Sequence, residues 1–194
     1  IFVCSDIHAN LRALEAALGV YRSMRPCRFL CLGDCIGYGA HPDVCLDMIL
    51  QLPDALYLMG NHEQALLDSR RRDDMSEFAA EALNWSEGIL AGEYDEVFAG
   101  RFEMKIENEL FCAVHATPDA PEEWGYLYSR DDAAEAFMSG DFDLCFVGGE
   151  PDVLERGAAL ERIRRAFHPQ VLDDLHRVAR RQFVAIAVSH RHAV

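Results

Sequence analysis

At 194 residues with 51% hydrophobic side chains, the chain is long enough to bury one sizeable core and too apolar to be disordered. Its 33 acidic and 18 basic residues give a formal net charge of −15, which excludes broad binding of long nucleic acids and suits a site that concentrates cations. No apolar stretch approaches the roughly 20 residues of a bilayer span, and the opening "IFVC" is too short for a signal peptide's apolar core, so a cytoplasmic protein with no membrane partner is expected.

"IFVCS" predicts a short strand. Asn10 can cap a helix whose Leu11, Leu14, Leu18 and Tyr21 share one face. "RFLCLG" predicts a second strand, followed by the loop "YGAHP" and a helix from Pro42 to near Gln51. "ALYLMG" predicts a third strand, and residues 76–91 a helix around Phe78, Leu83 and Leu90. "RFEMKIE" and "LFCAVHA", separated by "NE", predict a β-hairpin. Ser129, with Asp132 three residues on, predicts a capped helix through Met138. "FDLCFVG" predicts another strand, residues 153–181 two helices broken at Pro169, and Val184 to Val188 a closing buried strand. Strands alternating with helices, with an antiparallel pair around residues 101–115, predict a mixed α/β (α+β) fold.

Residues 150–194 hold 8 of the 18 basic residues and only 6 of the 33 acidic ones. That shift gives the one candidate boundary, a domain over 1–148 and a helical segment with a closing strand over 149–194, packed on the same domain. The basic residues Arg162, Arg164, Arg165, Arg177, Arg180 and Arg181 read as a solvated helix face. The cysteines number seven, with no CxxC pair, and Cys4, Cys31, Cys112 and Cys145 sit in apolar runs. They read as buried thiols in a reducing compartment.

The functional signal is positional. Four apolar strands each end in metal-competent side chains: Asp6 and His8, then Asp34, then Asn61 and His62, then His115. α/β sheets present such groups along the carboxyl ends of their strands, so these residues are expected to converge on one edge. Asp6 and His8 are two apart and can face the same side. Gly33 and Gly60 allow the backbone to turn sharply just before Asp34 and Asn61. Carboxylate, imidazole and amide oxygen without thiolate favour manganese, iron, zinc or nickel over a pure magnesium or calcium site.

"SDIHAN", "GDCIGYG", "GNHE" and "VHATP" occur in this order. Together they resemble the blocks of the calcineurin-like metallophosphoesterases, and in particular their small bacterial and archaeal phosphodiesterase branch, over about residues 1–148. "GYGAHPDVCLDMI" and "FDLCFVG" are similar to the same branch. The resemblance implies a two-layer β-sandwich flanked by helices, with two divalent metal ions, manganese first, at its edge. By resemblance Asp6 and His8 hold one ion, Asn61 and His115 the other, and Asp34 bridges both. His62 stands beside the phosphate as a proton donor or charge stabiliser. The implied reaction is hydrolysis of a small phosphodiester or phosphomonoester by a metal-activated hydroxide.

One block departs from the family's pattern. Where the family has G-H-x-H after the strand matching "FDLCFVG", this chain has Gly149 and Pro151, and neither can coordinate through a side chain. Two histidines, His190 and His192, follow the closing strand in "VSHRHAV". Three accounts stand open. Residues 149–183 are an insertion and His190 and His192 complete the metal site; or the two histidines are coincidental and the site has lost two ligands; or the tail is foreign to the family. The second function class that follows is a binding module that keeps the fold and lacks full catalysis. Tyr38, Trp124 and Tyr126 can either stack on a base or pack on the domain.

Overall fold

Phe2–Cys4 (β1), Phe29–Cys31 (β2), Leu56–Leu58 (β3) and Phe102–Glu103 (β4) pair in that order as a wholly parallel sheet. Lys105–Glu107 (β5), Cys112–Val114 (β6), Leu144–Val147 (β7) and Ile186–Ser189 (β8) form a second sheet, in which β6 and β7 are parallel and the outer pairs antiparallel. The computed structural model describes residues 1–23, 28–142, 144–149 and 186–189. The expected helices broken at Pro169, the basic residues Arg162 to Arg181, Pro151, His190 and His192 lie outside the described residues.

Every residue of β2 is fully buried, because a central parallel strand is covered on both faces and therefore reads as an unbroken apolar run. Helix α1 (Leu11–Ser23) begins where Asn10 Oδ1 accepts the Ala13 N–H at 3.1 Å. It buries Leu14, Ala17, Leu18 and Tyr21, a three-and-four spacing in which each leucine contributes about 1.5–3 kcal/mol. Helix α2 (Pro42–Leu50) opens on a proline, whose missing N–H costs nothing in the first turn. Asn61–Leu67 (α3), Glu77–Leu90 (α4) and Asp95–Arg101 (α5) follow, and Ser76 Oγ caps α4 by accepting the Ala79 N–H. Arg130–Met138 (α6) is capped by Ser129, whose Oγ accepts the Asp132 N–H at 3.1 Å, as the spacing predicts.

Three clusters set the layers. Leu14, Leu18, Phe29, Leu46, Leu83 and Phe98 join the helices to the first sheet. Leu30, Leu32, Leu58, Ile106, Ala113 and Phe146 fill the space between the sheets. Val114, Leu127, Phe142 and Val147 join the second sheet to Ala136 of α6. The result is the mixed α/β fold expected, with two sheets flanked by helices.

The stretch "RFEMKIE" is not one strand of a hairpin. It divides at Met104: β4 joins the first sheet beside β3, and only β5 pairs antiparallel with β6. Phe102 packs into the helix-side core and Ile106 between the sheets, so the division serves two cores. The hairpin turn is made by Asn108, whose Oδ1 accepts the N–H groups of Leu110 and Phe111 at 2.9 and 3.2 Å. Among the described residues, no helix is long and apolar enough to cross a membrane. The six described cysteines are free and buried. The hydrogen bond with Cys31 and burial raise the Cys35 thiol well above its usual range, which fits a packing role.

Candidate metal centre

The carboxyl ends of β1, β2, β3, β6 and β7 lead to one cavity of about 620 Å³. Asp6, His8, Asp34, Asn61, His62 and His115 all line it. The structure thus brings together six of the eight residues singled out in the sequence; the other two, His190 and His192, fall outside the described residues.

Two loops are tied to each other by their backbones. The N–H groups of Asp6, His8 and Ala9 donate to the carbonyls of Gly33, Asp34 and Cys35 at 3.1, 2.9 and 2.8 Å. Asp6, His8, Ala9 and Asp34 have φ values of +54°, +46°, +52° and +53°. This left-handed region costs a residue with a Cβ about 1–2 kcal/mol, and such strain concentrates at functional sites. Gly60 allows a close approach: an added Cβ would lie 2.1 Å from Asp34 Oδ1 and 2.4 Å from the Asp34 nitrogen.

The donor atoms form two groups. Ligand atoms of His8, Asp34 and His62 lie within 4.8 Å of one another, and so do those of Asp6, Asp34 and His115. Asp34 belongs to both. Its Oδ2 stands 3.8 Å from His8 Nε2, 3.5 Å from His115 Nε2 and 4.0 Å from His62 Nε2.

The ring nitrogens show what this arrangement fits. His115 Nδ1 lies 2.7 Å from the Leu32 carbonyl, and His8 Nδ1 lies 3.0 Å from the Ile36 carbonyl. A carbonyl only accepts, so both Nδ1 atoms carry the proton and each ring turns its Nε2 to the cavity. His115 Nε2 then faces Asn61 Oδ1 at 3.2 Å as well as Asp34 Oδ2. His8 Nε2 faces Asp6 Oδ1 at 3.7 Å and Asp34 Oδ2. Nitrogen and oxygen donor atoms gathered at this range suit a cation lying among them. Backbone carbonyls that fix the outer ring nitrogen are the usual support of a metal-binding histidine. The residues present therefore fit divalent metal.

Charge follows the same geometry. Burial works against ionisation of Asp34, yet His115, His62, His8 and the His62 N–H outweigh it and hold its pKa down. Burial likewise opposes a charged His115, and Asp34 and Asp6 overcome it, so its pKa is raised. Burial and then Asp34 push Asp6 up, against the imidazoles and the Ser5 hydroxyl that donates to it. Burial lowers His62 to about 4, and its Nδ1 is a buried atom without a hydrogen-bond partner among the described residues.

Glu63, quoted in "GNHE" but given no role, proves central. Its carboxylate is wholly buried. Oε2 accepts the N–H groups of Asp34 at 2.8 Å and Gly60 at 2.9 Å; Oε1 accepts those of Cys35 at 2.7 Å and Ile36 at 3.3 Å. Burial and Asp34 push Glu63 up to about 7, against the pull of these donors. The side chain caps α3 and pins the Asp34 loop to it. An acidic residue three positions into a helix was the available signal.

Position 149 also faces the cluster: a Cβ added at Gly149 would lie 3.7 Å from His115 Nε2. Gly149 itself offers no donor side chain. In the second sheet, Ser189 pairs with Leu144, while Ile186 pairs with Val147 at the end nearest Gly148 and Gly149. Three residue steps separate those ends, about 10 Å.

A protein of Methanocaldococcus jannaschii described as uncharacterized is 34% identical over 151 residues, which cover 76% of this chain and 60% of that protein. The crystal structure of a metallophosphoesterase from Sphaerobacter thermophilus is 32% identical, with a TM-score of 0.63, over 75% of this chain and 58% of that one. The chain spans less than two thirds of either relative. The calcineurin-like phosphoesterase family matches residues 1–192, and the chain belongs to that family.

Proposed function

We propose that the protein is a metal-dependent phosphoesterase that hydrolyses small phosphodiesters or phosphomonoesters at a centre of two divalent ions, manganese first. The observation that carries this reading is the pair of ligand groups sharing Asp34. Asp6, His8, Asp34, Asn61 and His115 would hold the ions. When bound, the ions supply Lewis acidity toward phosphoryl oxygens and acidify water to a nucleophile at neutral pH.

The chain's own residues supply orientation. The Leu32 and Ile36 carbonyls fix the His115 and His8 rings. Glu63 and the His62 N–H, which donates to Asp34 Oδ1 at 3.0 Å, fix the shared carboxylate. His62 is buried and weakly basic, which supports a neutral hydrogen-bond donor to phosphate over an imidazolium acid. The −15 charge supports a small substrate over a long nucleic acid.

The test is turnover of bis-p-nitrophenyl phosphate and p-nitrophenyl phosphate by metal-stripped protein reloaded with manganese, iron, zinc or nickel. Turnover that Asp34→Asn abolishes is the expected result; no turnover with any of the four overturns the proposal. Gly149 favours a second reading, a binding module with an incomplete ion shell. Metal analysis separates the two: two equivalents per chain support the hydrolase, one or fewer the module.

A further inference from the structure

Three of the chain's six tyrosines line the cavity, and their surroundings differ from those of the other three. Tyr57 donates to the Ile49 carbonyl, Tyr94 donates to Asp47, and Tyr21 is buried against Phe2 and Phe29. Tyr38, Tyr126 and Tyr128 instead keep 52%, 43% and 60% of their surface exposed. Tyr126 and Tyr128 stand with ring centroids 6.0 Å apart at 49°. Tyr38 meets the His8 ring edge-on at 4.8 Å and lies 5.0 Å from the His62 ring, and its φ of +56° is one a tyrosine adopts only at a cost. Trp124 is otherwise engaged: its Nε1–H donates to Gln64 Oε1 at 2.7 Å, and its ring packs against His115.

The cavity therefore joins a cluster of metal-competent groups to uncovered aromatic faces, with Met75 and Ala79 adding apolar surface. Among the described lining residues none is Lys or Arg, and Asp74 adds a further carboxylate. The described lining residues offer no cationic side chain to a second phosphate and a good surface to a flat, uncharged ring. Every nucleobase has such a face, and stacking on aromatic side chains is largely independent of which base it is.

We propose that the substrates are phosphoesters with a single phosphoryl group whose retained ester group carries a flat aromatic moiety, nucleoside monophosphate esters first, and that this ring stacks on Tyr126 and Tyr128 beside Tyr38. This rests on the phosphoesterase reading above. In the reaction the oxygen of water forms a new P–O bond, the bond to the leaving oxygen breaks, and the proton released by water balances the departing alkoxide or phenolate. The nucleoside stays on the phosphate and in the stack.

The test compares thymidine 5′-(p-nitrophenyl phosphate) with ethyl p-nitrophenyl phosphate in the manganese-loaded protein. Both release p-nitrophenolate, so leaving-group chemistry is constant and the retained group alone varies. The expected kcat/KM ratio is about tenfold or more in favour of the nucleoside. It should fall to near one in Tyr126→Ala/Tyr128→Ala, and also in Tyr126→Leu/Tyr128→Leu, which keeps apolar bulk and loses the ring faces. The Tyr126→Phe/Tyr128→Phe pair should retain it. A ratio near one in the native protein, or one that survives both ring-removing pairs, overturns the stacking proposal while the phosphoesterase reading stands. If neither these esters nor bis-p-nitrophenyl phosphate are turned over, the phosphoesterase reading falls and takes this one with it.

Discussion

Gly60→Ala adds one methyl group where the two central loops meet. Ordinary van der Waals contact begins at 3.4 Å, and the new carbon would lie 2.1 Å from Asp34 Oδ1, 2.4 Å from the Asp34 nitrogen and 2.8 Å from Glu63 Oε2. The backbone angle is not the obstacle, since Gly60 has φ −95°. The obstacle is a shortfall of about 1 Å against groups that cannot yield singly, because Glu63 holds the Asp34 and Gly60 N–H groups on one oxygen. Overpacking of this kind costs about 1–3 kcal/mol, and the lost freedom of the unfolded glycine returns less than about 1 kcal/mol. The net expectation is about 2 kcal/mol of destabilisation, and the displaced atom is the carboxylate shared by both ligand groups. Urea unfolding should show a midpoint lowered by about 1 M for a slope near 2 kcal/mol per molar, and metal analysis a loss of bound ion. The control is Gly88→Ala, inside α4 with nothing within 4 Å of the added carbon; it should stabilise by about 0.5–1 kcal/mol through helix propensity. If Gly60→Ala unfolds within about 0.5 kcal/mol of the native chain and binds metal equally well, the close approach of the two loops is not what positions Asp34.

Glu63→Gln should destabilise by about 3 kcal/mol in the same urea assay, because an amide NH2 replaces one oxygen and faces two of the four buried N–H donors; a change under about 1 kcal/mol would show that those bonds contribute little. The double substitution His190→Ala/His192→Ala should leave metal content unchanged, since the preceding Ser189 pairs with Leu144 at the end of the sheet away from Gly149; a lost equivalent would place those histidines in the ion shell. Gly149→His should raise metal affinity, read by competition with a chelating dye, because its Cβ would start 3.7 Å from His115 Nε2; the φ of +61° there sets a strain cost of about 1–2 kcal/mol against the gain.

The site was legible in the sequence because its donors interrupt apolar runs at abrupt places: Asp34 directly after "RFLCLG", His115 directly after "LFCAV". Strand ends are where an apolar pattern stops, and the sheet topology does the rest. What stayed hidden is long-range or patternless. Phe102, Met104 and Ile106 alternate without a break, so nothing local marks the step from one sheet to the other. Helix α5 buries only Phe98, too little for a periodic signal. Helix α3 begins with residues that read as ligands, and its start depends on Glu63. That side chain's more distant partners, Asp34, Cys35 and Ile36, lie 27–29 residues earlier, a relation no local motif encodes.

The distribution of strain says why the loops are built this way. Eight non-glycine residues among those described have positive φ, and Asp6, His8, Ala9, Asp34 and Tyr38 are five of them. Glycine would relieve about 1–2 kcal/mol at each position, and the chain does use glycine beside them, at Gly33 and Gly37, with φ +102° and +84°. The division follows what each side chain does. Asp6, His8 and Asp34 carry donor atoms, Tyr38 presents a ring to the cavity, and Ala9 is buried at 1% exposure; glycine there would remove the group along with the strain. A local conformation this unfavourable persists only when its surroundings enforce it. Here the enforcing contacts are the three N–H bonds from residues 6, 8 and 9 to carbonyls 33, 34 and 35, and the four that end on Glu63. Stability and site geometry therefore pull against each other in these loops. Substitutions that loosen the backbone ties should cost metal affinity before they unfold the sheets.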